Sequence, residues 1–266
     1  MFDSGFGGLT VARAVIDLLP AEDLVYVGDT GRYPYGPRDQ DQVRRFAHQI
    51  TATLIDEHRV KLVVVACNTA SAAALDELRF AFDVPIVGVI APGARAATSV
   101  TRNGRVGVIG TVGTIASGAY QREVVALRGA RAAGPVQLTC AACPGFVEFV
   151  ERGDTWSEQV HVLAERLLDP VRRAAVDTLL LGCTHYPFLA RTISDVMGRE
   201  VVLVSSADET AFEVLAILER TGLGRRTAAK GAHRFVSSGD VEVFRALGTR
   251  LLGPELDVEV EPRSWA

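Results

Sequence analysis

The chain has 266 residues, of which 48% are hydrophobic and 23% charged, so its composition is that of a folded globular protein and not of a disordered one. The net charge of −4 does not indicate the basic surface that direct binding of nucleic acid requires. Since no apolar run is long enough for a membrane span and the sequence does not open with a secretory signal pattern, we expect a soluble cytoplasmic protein.

Apolar strand patterns alternate with helical patterns along the chain, which predicts parallel sheets covered by helices on both faces. Two of the strands end in a similar way. We therefore expect an α/β fold of two similar lobes, each a mainly parallel sheet flanked by helices, with the active site in the cleft between them. The predicted strands are 24–27, 62–66, 85–90, 105–109, 136–140, 178–183, 201–204, 233–236 and 256–260. The predicted helices are 9–20, 40–57, a helix from 70 onward, 94–101, one that ends near 127, 157–173, 208–220 and 240–252.

Several loops between these elements carry turn residues. A glycine cluster at 5–8 lets the backbone approach a ligand closely, or makes a tight turn from strand to helix. The loop 28–37 follows a strand and holds three glycines, two prolines and two tyrosines, so it is either a ligand loop or an ordinary surface turn. Ala91-Pro92-Gly93 indicates a hinge, and Asp240 is predicted to be the N-cap of the last helix.

Two cysteines stand at matched positions, each where an apolar strand gives way to a helix. Cys67 follows 62–66 and precedes Asn68 and Thr69, while Cys183 precedes Thr184 and His185. Such positions tend to lower the pKa of a thiol.

Three interpretations of these cysteines remain open on the residues alone. The pair could move a proton between the two faces of one carbon, Cys183 could be a nucleophile with His185 as base, or both could be core residues. The first chemistry needs groups that stabilise a carboxylate as it turns toward an enediolate. Candidates for that work are Ser4, Asn68, Thr69, Thr111, Thr114 and Thr184.

The remaining cysteines, Cys140 and Cys143, form a C-x-x-C pair, which could indicate a redox or zinc site. Pro144 and Gly145 directly after it indicate a loop rather than a helix, and no second C-x-x-C completes a zinc site. We therefore expect the pair to be incidental and its thiols to be reduced.

Seven motifs resemble those of the glutamate racemase family, occur in the family's order and span nearly the whole chain. They are D-S-G-F-G-G-L-T (3–10), P-Y-G (34–36), A-C-N-T-A-S (66–71), G-T-x-x-T (110–114), C-P-x-F-V (143–147), V-E-R-G (150–153) and L-G-C-T-H-Y-P (181–187). The resemblance implies interconversion of L- and D-glutamate without pyridoxal phosphate, metal or other cofactor, which supplies D-glutamate for peptidoglycan. It also implies a homodimer, and some members are said to bind DNA gyrase.

The resemblance also implies a role for individual residues. Cys67 is expected to take the α-proton from D-glutamate and Cys183 from L-glutamate. Asp3 and His185 are expected to assist beside Cys67 and Cys183 respectively, and Glu151 to tune the second site. The implied substrate-binding residues are Ser4, Pro34, Tyr35, Gly36, Asn68, Thr69, Thr111, Thr114 and Thr184.

The substrate and the domain boundaries are further expectations from the resemblance. Aspartate racemases typically carry glutamate after the second Cys-Thr, where this chain has His185, and this favours glutamate as substrate. The first lobe is expected to comprise 1–92 with 206–266, and the second 93–205. Relatives usually have a few more residues before Asp3, so we expect a chain extended upstream to be more stable to heat.

Overall fold

The computed structural model describes residues 1–127, 134–253 and 259–265. In chain order, the strands are β1 Phe2–Asp3, β2 Leu24–Gly28, β3 Val63–Val65, β4 Ile86–Gly88, β5 Arg105–Gly110, β6 Gln137–Ala142, β7 Thr178–Gly182, β8 Val202–Val204, β9 His233–Ser237 and β10 Val260–Pro262. The α-helices are α1 Leu9–Leu18, α2 Gln40–Asp56, α3 Asn68–Ala81, α4 Ile90–Val100, α5 Val112–Ala116, α6 Ala119–Ala126, α7 Phe146–Glu151, α8 Glu158–Arg173, α9 Ala190–Met197, α10 Ala207–Thr221 and α11 Val241–Leu252. Short 3-10 helices lie at Thr30–Arg32 and Tyr186–Leu189.

These elements form two compact units. One is Met1–Val89 with Ala207–Ala266, and the other is Ile90–Ser206. The chain thus passes between units after Val89 and Ser206, whereas the sequence placed the boundaries after Pro92 and Ser205.

The first unit is built on the sheet β10-β9-β2-β1-β3-β4, in which neighbouring strands pair in parallel. Its two faces hold separate apolar clusters. Val64 faces the cluster formed with α1, α10 and α11, and Val63 and Val65 face the cluster formed with α2 and α3. Burial of each valine contributes about 1.5–3 kcal/mol, and burial on both faces explains why the run is continuously apolar rather than alternating.

The second unit is built on the sheet β6-β5-β7-β8, which is also parallel. Leu179 and Leu181 of β7 pack on one face with Val160 and Leu168 of α8. Leu180 points the other way and meets α4 near Gly93. The predicted α/β class with parallel sheets flanked by helices is confirmed. Among the described residues, one sheet has six strands and the other four, so the lobes are less alike than expected.

The residues predicted as a hinge, Ala91-Pro92-Gly93, lie in the first turn of α4, which begins directly after the passage between the units at Val89. Proline fits there because the first N–H groups of a helix have no partner within the helix, so a missing N–H costs nothing. The fixed φ of proline is also close to the helical value. The sequence also missed α7, a short helix that begins after Gly145 at φ 92°. Of the strand predicted at 256–260, residues 256–258 lie outside the described residues, and β10 begins at Val260. Asp240 is the N-cap of α11, as predicted, and accepts from the backbone N–H groups of Glu242 and Val243.

Across the described ranges, no helix combines the length and apolar character needed to cross a membrane.

Gly8 shows what the glycine cluster does for packing. A Cβ added to Gly8 would lie 2.6 Å from Asp3 Cβ, 2.9 Å from the Tyr26 hydroxyl and 3.0 Å from Ala66 Cβ. The residue therefore lets the turn before α1 lie directly against β1, β2 and the end of β3, which supports the tight-turn interpretation of this glycine.

We predict that Gly8→Ala lowers the free energy of unfolding by about 1–3 kcal/mol, because the added methyl group overfills this contact. Urea unfolding followed by circular dichroism measures it. Gly224→Ala is the matched control, since its Cβ would meet neighbours only at 3.8 and 3.9 Å, and it should change stability by less than about 0.5 kcal/mol. Equal unfolding midpoints for the two variants would show that the contact is not tight.

Candidate active site

In the first unit, several polar residues reach the same edge of the sheet. Asp3 lies opposite Gly28 in the register of β1 and β2, and Gly28 lies opposite Ser237 in β9. Phe2 also lies opposite Val65, so Ser4 and Cys67 follow neighbouring strand ends. Parallel pairing thus gathers these residues at the carboxyl edge, where open α/β sheets bind ligands.

The Asp3 carboxylate is completely buried and is held by backbone groups. Its Oδ2 accepts hydrogen bonds from the N–H groups of Gly5 at 3.3 Å and Gly8 at 3.0 Å. Gly8 is the N-cap of α1, so the carboxylate lies at the positive end of that helix. A buried charge is tolerated in such a place because oriented N–H groups replace part of its hydration.

Cys67 is the N-cap of α3, as its position between strand and helix predicted, and only 5% of it is exposed. Its sulfur accepts from the Ala70 N–H at 3.5 Å, and its thiol donates to Ser4 Oγ at 3.7 Å. Burial, followed by the negative charge of Asp3, raises the pKa of Cys67 from 9.0 to about 12, against the lowering effect of the Ala70 and Ser4 hydrogen bonds. With this pKa the thiol is protonated at neutral pH.

The other predicted residues of this unit lie close to Cys67 in the chain or in the neighbouring loop. Asn68 and Thr69 are the first two residues of α3 and are buried. Pro34, Tyr35 and Gly36 follow the 3-10 helix Thr30–Arg32 in the loop after β2, and the Tyr33–Pro34 peptide is cis.

Asp29 is a buried residue of this loop that the sequence prediction missed. Its carboxylate accepts from the Tyr35 hydroxyl, from Arg32 Nε at 2.7 Å, from Ser238 Oγ at 2.6 Å and from Trp265 Nε1 at 2.6 Å. The available signal was an aspartate two residues after a predicted apolar strand, in G-D-T (28–30). Burial of Tyr35, and then the Asp29 charge, raise the pKa of the tyrosine far above its ordinary value.

In the second unit, the ends of β5 and β7 are level, since Gly110 lies opposite Gly182. Thr111 and Cys183 each follow one of these glycines. Thr111 is the N-cap of α5, and its Oγ1 lies 2.9 Å from Thr114 Oγ1 and accepts from the Thr114 N–H at 3.2 Å. The two threonine hydroxyls therefore stand beside the Cys183 strand end.

Cys183 begins a line of three titratable side chains. Its sulfur lies 4.0 Å from His185 Nδ1, which is also 3.5 Å from Thr184 Oγ1. On the other side of the ring, His185 Nε2 lies 3.5 Å from Glu151 Oε1. Cys183 and His185 are buried, whereas the Glu151 side chain is about a quarter exposed. The imidazole can thus exchange a proton with the thiol while the carboxylate stabilises its charged form.

The helix that carries Glu151 is fixed against the segment that carries His185. The Tyr186 hydroxyl donates to the Cys143 carbonyl at 3.0 Å, and the Phe146 and Tyr186 rings meet edge to face with centroids 5.3 Å apart. The helix α7, which the sequence missed, is therefore what brings Glu151 to His185.

Cys140 and Cys143 are free thiols. Burial raises the pKa of Cys140 to about 11 and that of Cys143 to about 12. Such thiols are poor nucleophiles, so their environment does not favour redox chemistry. Within the described ranges, no group of three or more His, Cys, Asp and Glu side chains is arranged to hold a metal ion.

Comparison with known proteins shows which sequences and folds this chain is similar to. The family model for Asp/Glu/hydantoin racemases matches residues 8–213. A glutamate racemase of Mycobacterium ulcerans is 54% identical over 257 residues, which are 96% of this chain and 92% of that protein. The crystal structure of a glutamate racemase isoform from Bacillus anthracis matches with a TM-score of 0.89 and 40% identity, over 100% of this chain and 96% of the other. That of the Francisella tularensis glutamate racemase in complex with D-glutamate matches with a TM-score of 0.87 and 29% identity, over the same shares of the two chains.

The chain therefore belongs to the Asp/Glu/hydantoin racemase family. Within that family it groups with the glutamate racemases, so the resemblance seen in the motifs is confirmed.

We predict that Asp3→Asn lowers the pKa of Cys67 below about 12, because it removes the negative charge that opposes the thiolate. Ultraviolet absorbance of the thiolate during a pH titration measures this, after subtraction of the same titration with Cys67→Ser.

Asp76→Asn is the matched control, since Asp76 lies on α3 but its carboxylate is exposed and screened by solvent. It should leave the Cys67 midpoint unchanged. An Asp3→Asn variant that titrates like the wild type would show that the Asp3 charge does not act on this thiol.

Proposed function

We propose that this protein is a glutamate racemase that interconverts L- and D-glutamate by two-base proton transfer through Cys67 and Cys183. The observation that carries the proposal is that each unit ends a strand in a buried thiol with a titratable neighbour, Asp3 in one and His185 in the other. The glutamate racemases among the relatives support glutamate as the substrate, as does His185 at the position where aspartate racemases typically carry glutamate.

In this mechanism one cysteine is a thiolate and the other a thiol. The thiolate takes the α-proton from one face of the substrate, and the electron pair left on the carbon delocalises into the carboxylate. The opposite thiol then gives its proton to the other face, which inverts the centre and exchanges the protonation states of the two cysteines. The mechanism therefore requires the Cys67 and Cys183 edges to reach one substrate carbon from opposite sides.

The surroundings of the two thiols differ and suit them to different roles in the reaction. Since Cys67 is protonated at neutral pH, it is ready to give a proton to the face that yields D-glutamate. Cys183 is then the base that acts on L-glutamate, with His185 taking its proton beforehand and Glu151 stabilising the imidazolium. A purely nucleophilic Cys183 would leave Cys67 and its polar neighbours without a role.

The α-proton is weakly acidic, so the substrate carboxylate must be stabilised as negative charge builds on it. We propose that the residues at the strand ends do this through hydroxyl, amide and main-chain groups. In the first unit they are Ser4, Pro34, Tyr35, Gly36, Asn68 and Thr69, and in the second they are Thr111, Thr114 and Thr184.

We further propose that the enzyme is a cytoplasmic homodimer and that its D-glutamate is used for peptidoglycan. Light scattering of the purified protein should give twice the chain mass at assay concentrations. A monomer that is fully active would contradict the dimer and leave the chemistry intact.

Incubation with L-glutamate in D2O tests the reaction itself. Two-base transfer predicts that D-glutamate first appears with deuterium at the α-carbon while the remaining L-glutamate is still protonated, because product and substrate exchange protons with different thiols. Chiral chromatography with mass spectrometry follows both. Absence of racemisation would overturn the proposed activity, and D-glutamate that retains the substrate proton would overturn the two-base scheme.

Replacing either thiol tests the residue assignment. Cys67→Ser and Cys183→Ser should each lower kcat by about 10²–10⁴-fold, because a hydroxyl is a far weaker acid than a thiol. Cys140→Ser is the matched control and should retain wild-type kcat. Full activity in either of the first two variants contradicts the assignment.

A further inference from the structure

The Asp29 carboxylate connects the loop after β2 to two distant parts of the chain. Asp29 is completely buried, and a carboxylate offers about four acceptor sites. Oδ2 accepts from Tyr35 and Arg32, which belong to the loop, while Oδ1 accepts from Ser238 and Trp265. The last two partners lie 209 and 236 residues further along the chain.

Trp265 contacts this loop in a second way. The Arg32 guanidinium lies over the Trp265 ring at 4.6 Å and over the Phe46 ring at 4.1 Å, so it is held between two aromatic faces. Its Nη1 also donates to Gln49 Oε1 at 2.7 Å. Arg32 is thereby fixed where it compensates the buried charge of Asp29.

The bond to Asp29 determines what Tyr35 can offer a substrate. Its hydroxyl is already donated to Asp29, and only 1% of the residue is exposed. The Tyr35 carbonyl already accepts from the Arg38 N–H at 3.0 Å, so the groups that remain for a ligand are the main-chain N–H groups of Tyr35 and Gly36. A main-chain contact depends on where the loop lies, and the loop is anchored through Asp29.

We propose that Trp265, acting through Asp29, positions the Tyr35–Gly36 main chain and thereby sets the affinity of the site for its amino-acid substrate. The proposal rests on the proposed function, in which this loop binds glutamate. Trp265 and Asp29 are positioning residues, since neither takes part in the proton transfer.

Trp265→Phe tests the link with little other disturbance, because it removes the Nε1–H donor and keeps an aromatic ring beside Arg32. We expect KM for glutamate to rise about ten-fold, the size of one lost hydrogen bond to a charged group, while kcat changes by less than about two-fold. Ser238→Ala removes the other donor to Oδ1 and should shift KM in the same direction. Unchanged KM in both variants overturns the proposal.

A double-mutant cycle separates positioning through Asp29 from general loosening. Tyr35→Phe removes the hydrogen bond from Tyr35 to Asp29, so Trp265→Phe should have a smaller further effect on KM in that background. Additive effects of the two substitutions would mean that Trp265 acts by another route, and would overturn the proposal.

Arg234→Gln is the matched control. Arg234 holds the C-terminal segment 260–265, which also carries Trp265, through two hydrogen bonds to Glu261 of 2.9 and 2.8 Å. It does not contact Asp29. It should leave KM at the wild-type value, and a rise equal to that of Trp265→Phe would show that any loosening of the segment is enough.

Amide hydrogen exchange keeps the proposal separate from the proposed function. The peptide that covers residues 28–37 should exchange faster in Trp265→Phe than in the wild type or in Arg234→Gln. If the wild type racemises glutamate but this peptide does not exchange faster in Trp265→Phe, the positioning role alone is overturned. If the peptide exchanges faster in Trp265→Phe but the folded wild type does not racemise glutamate, the proposed function alone is overturned.

Discussion

Both sheets depend on a parallel register that brings the carboxyl ends of neighbouring strands to one edge. Phe2 lies opposite both Val27 and Val65, and Gly110 lies opposite Gly182. Because the strands are level, residues that are distant in the chain become neighbours without any local sequence signal. A shift of one residue in either register would turn each side chain of that strand to the opposite face of the sheet.

The Cys67 thiol shows two opposing effects of this placement. The edge puts it at the N-terminus of α3, where helix dipole and N–H groups favour the thiolate, and beside the buried Asp3 carboxylate, which disfavours it. Burial and Asp3 prevail and raise the pKa of Cys67 to about 12. A substrate ammonium group beside the sulfur would add the opposite charge. Under the proposed mechanism, the charge of the bound substrate therefore favours ionisation of Cys67.

The sequence was informative where a local pattern decides the structure. The valine run before Cys67 indicates a strand buried on both faces, and the following helix makes the thiol an N-cap. It was less decisive at Pro92, because a proline that breaks one helix also suits the first turn of another. It could not reveal the distant partners of Asp29, because Ser238 and Trp265 are brought close only by the sheet order. Sequence patterns predict where strands end, but which residues meet at the edge of a sheet depends on the order of the strands.

The two thiol sites therefore differ in how the chain builds them. Around Cys183 the titratable neighbours come from nearby in the chain, because His185 is two residues away and Glu151 lies at the end of α7, the helix before α8. The loop near Cys67 is held instead by contacts that span more than two hundred residues, through Asp29. Closing such a long separation is entropically costly, and it is offset by the packing of the whole sheet. The geometry of the first site is therefore tied to complete folding of its unit, while the second can be assembled from one continuous segment.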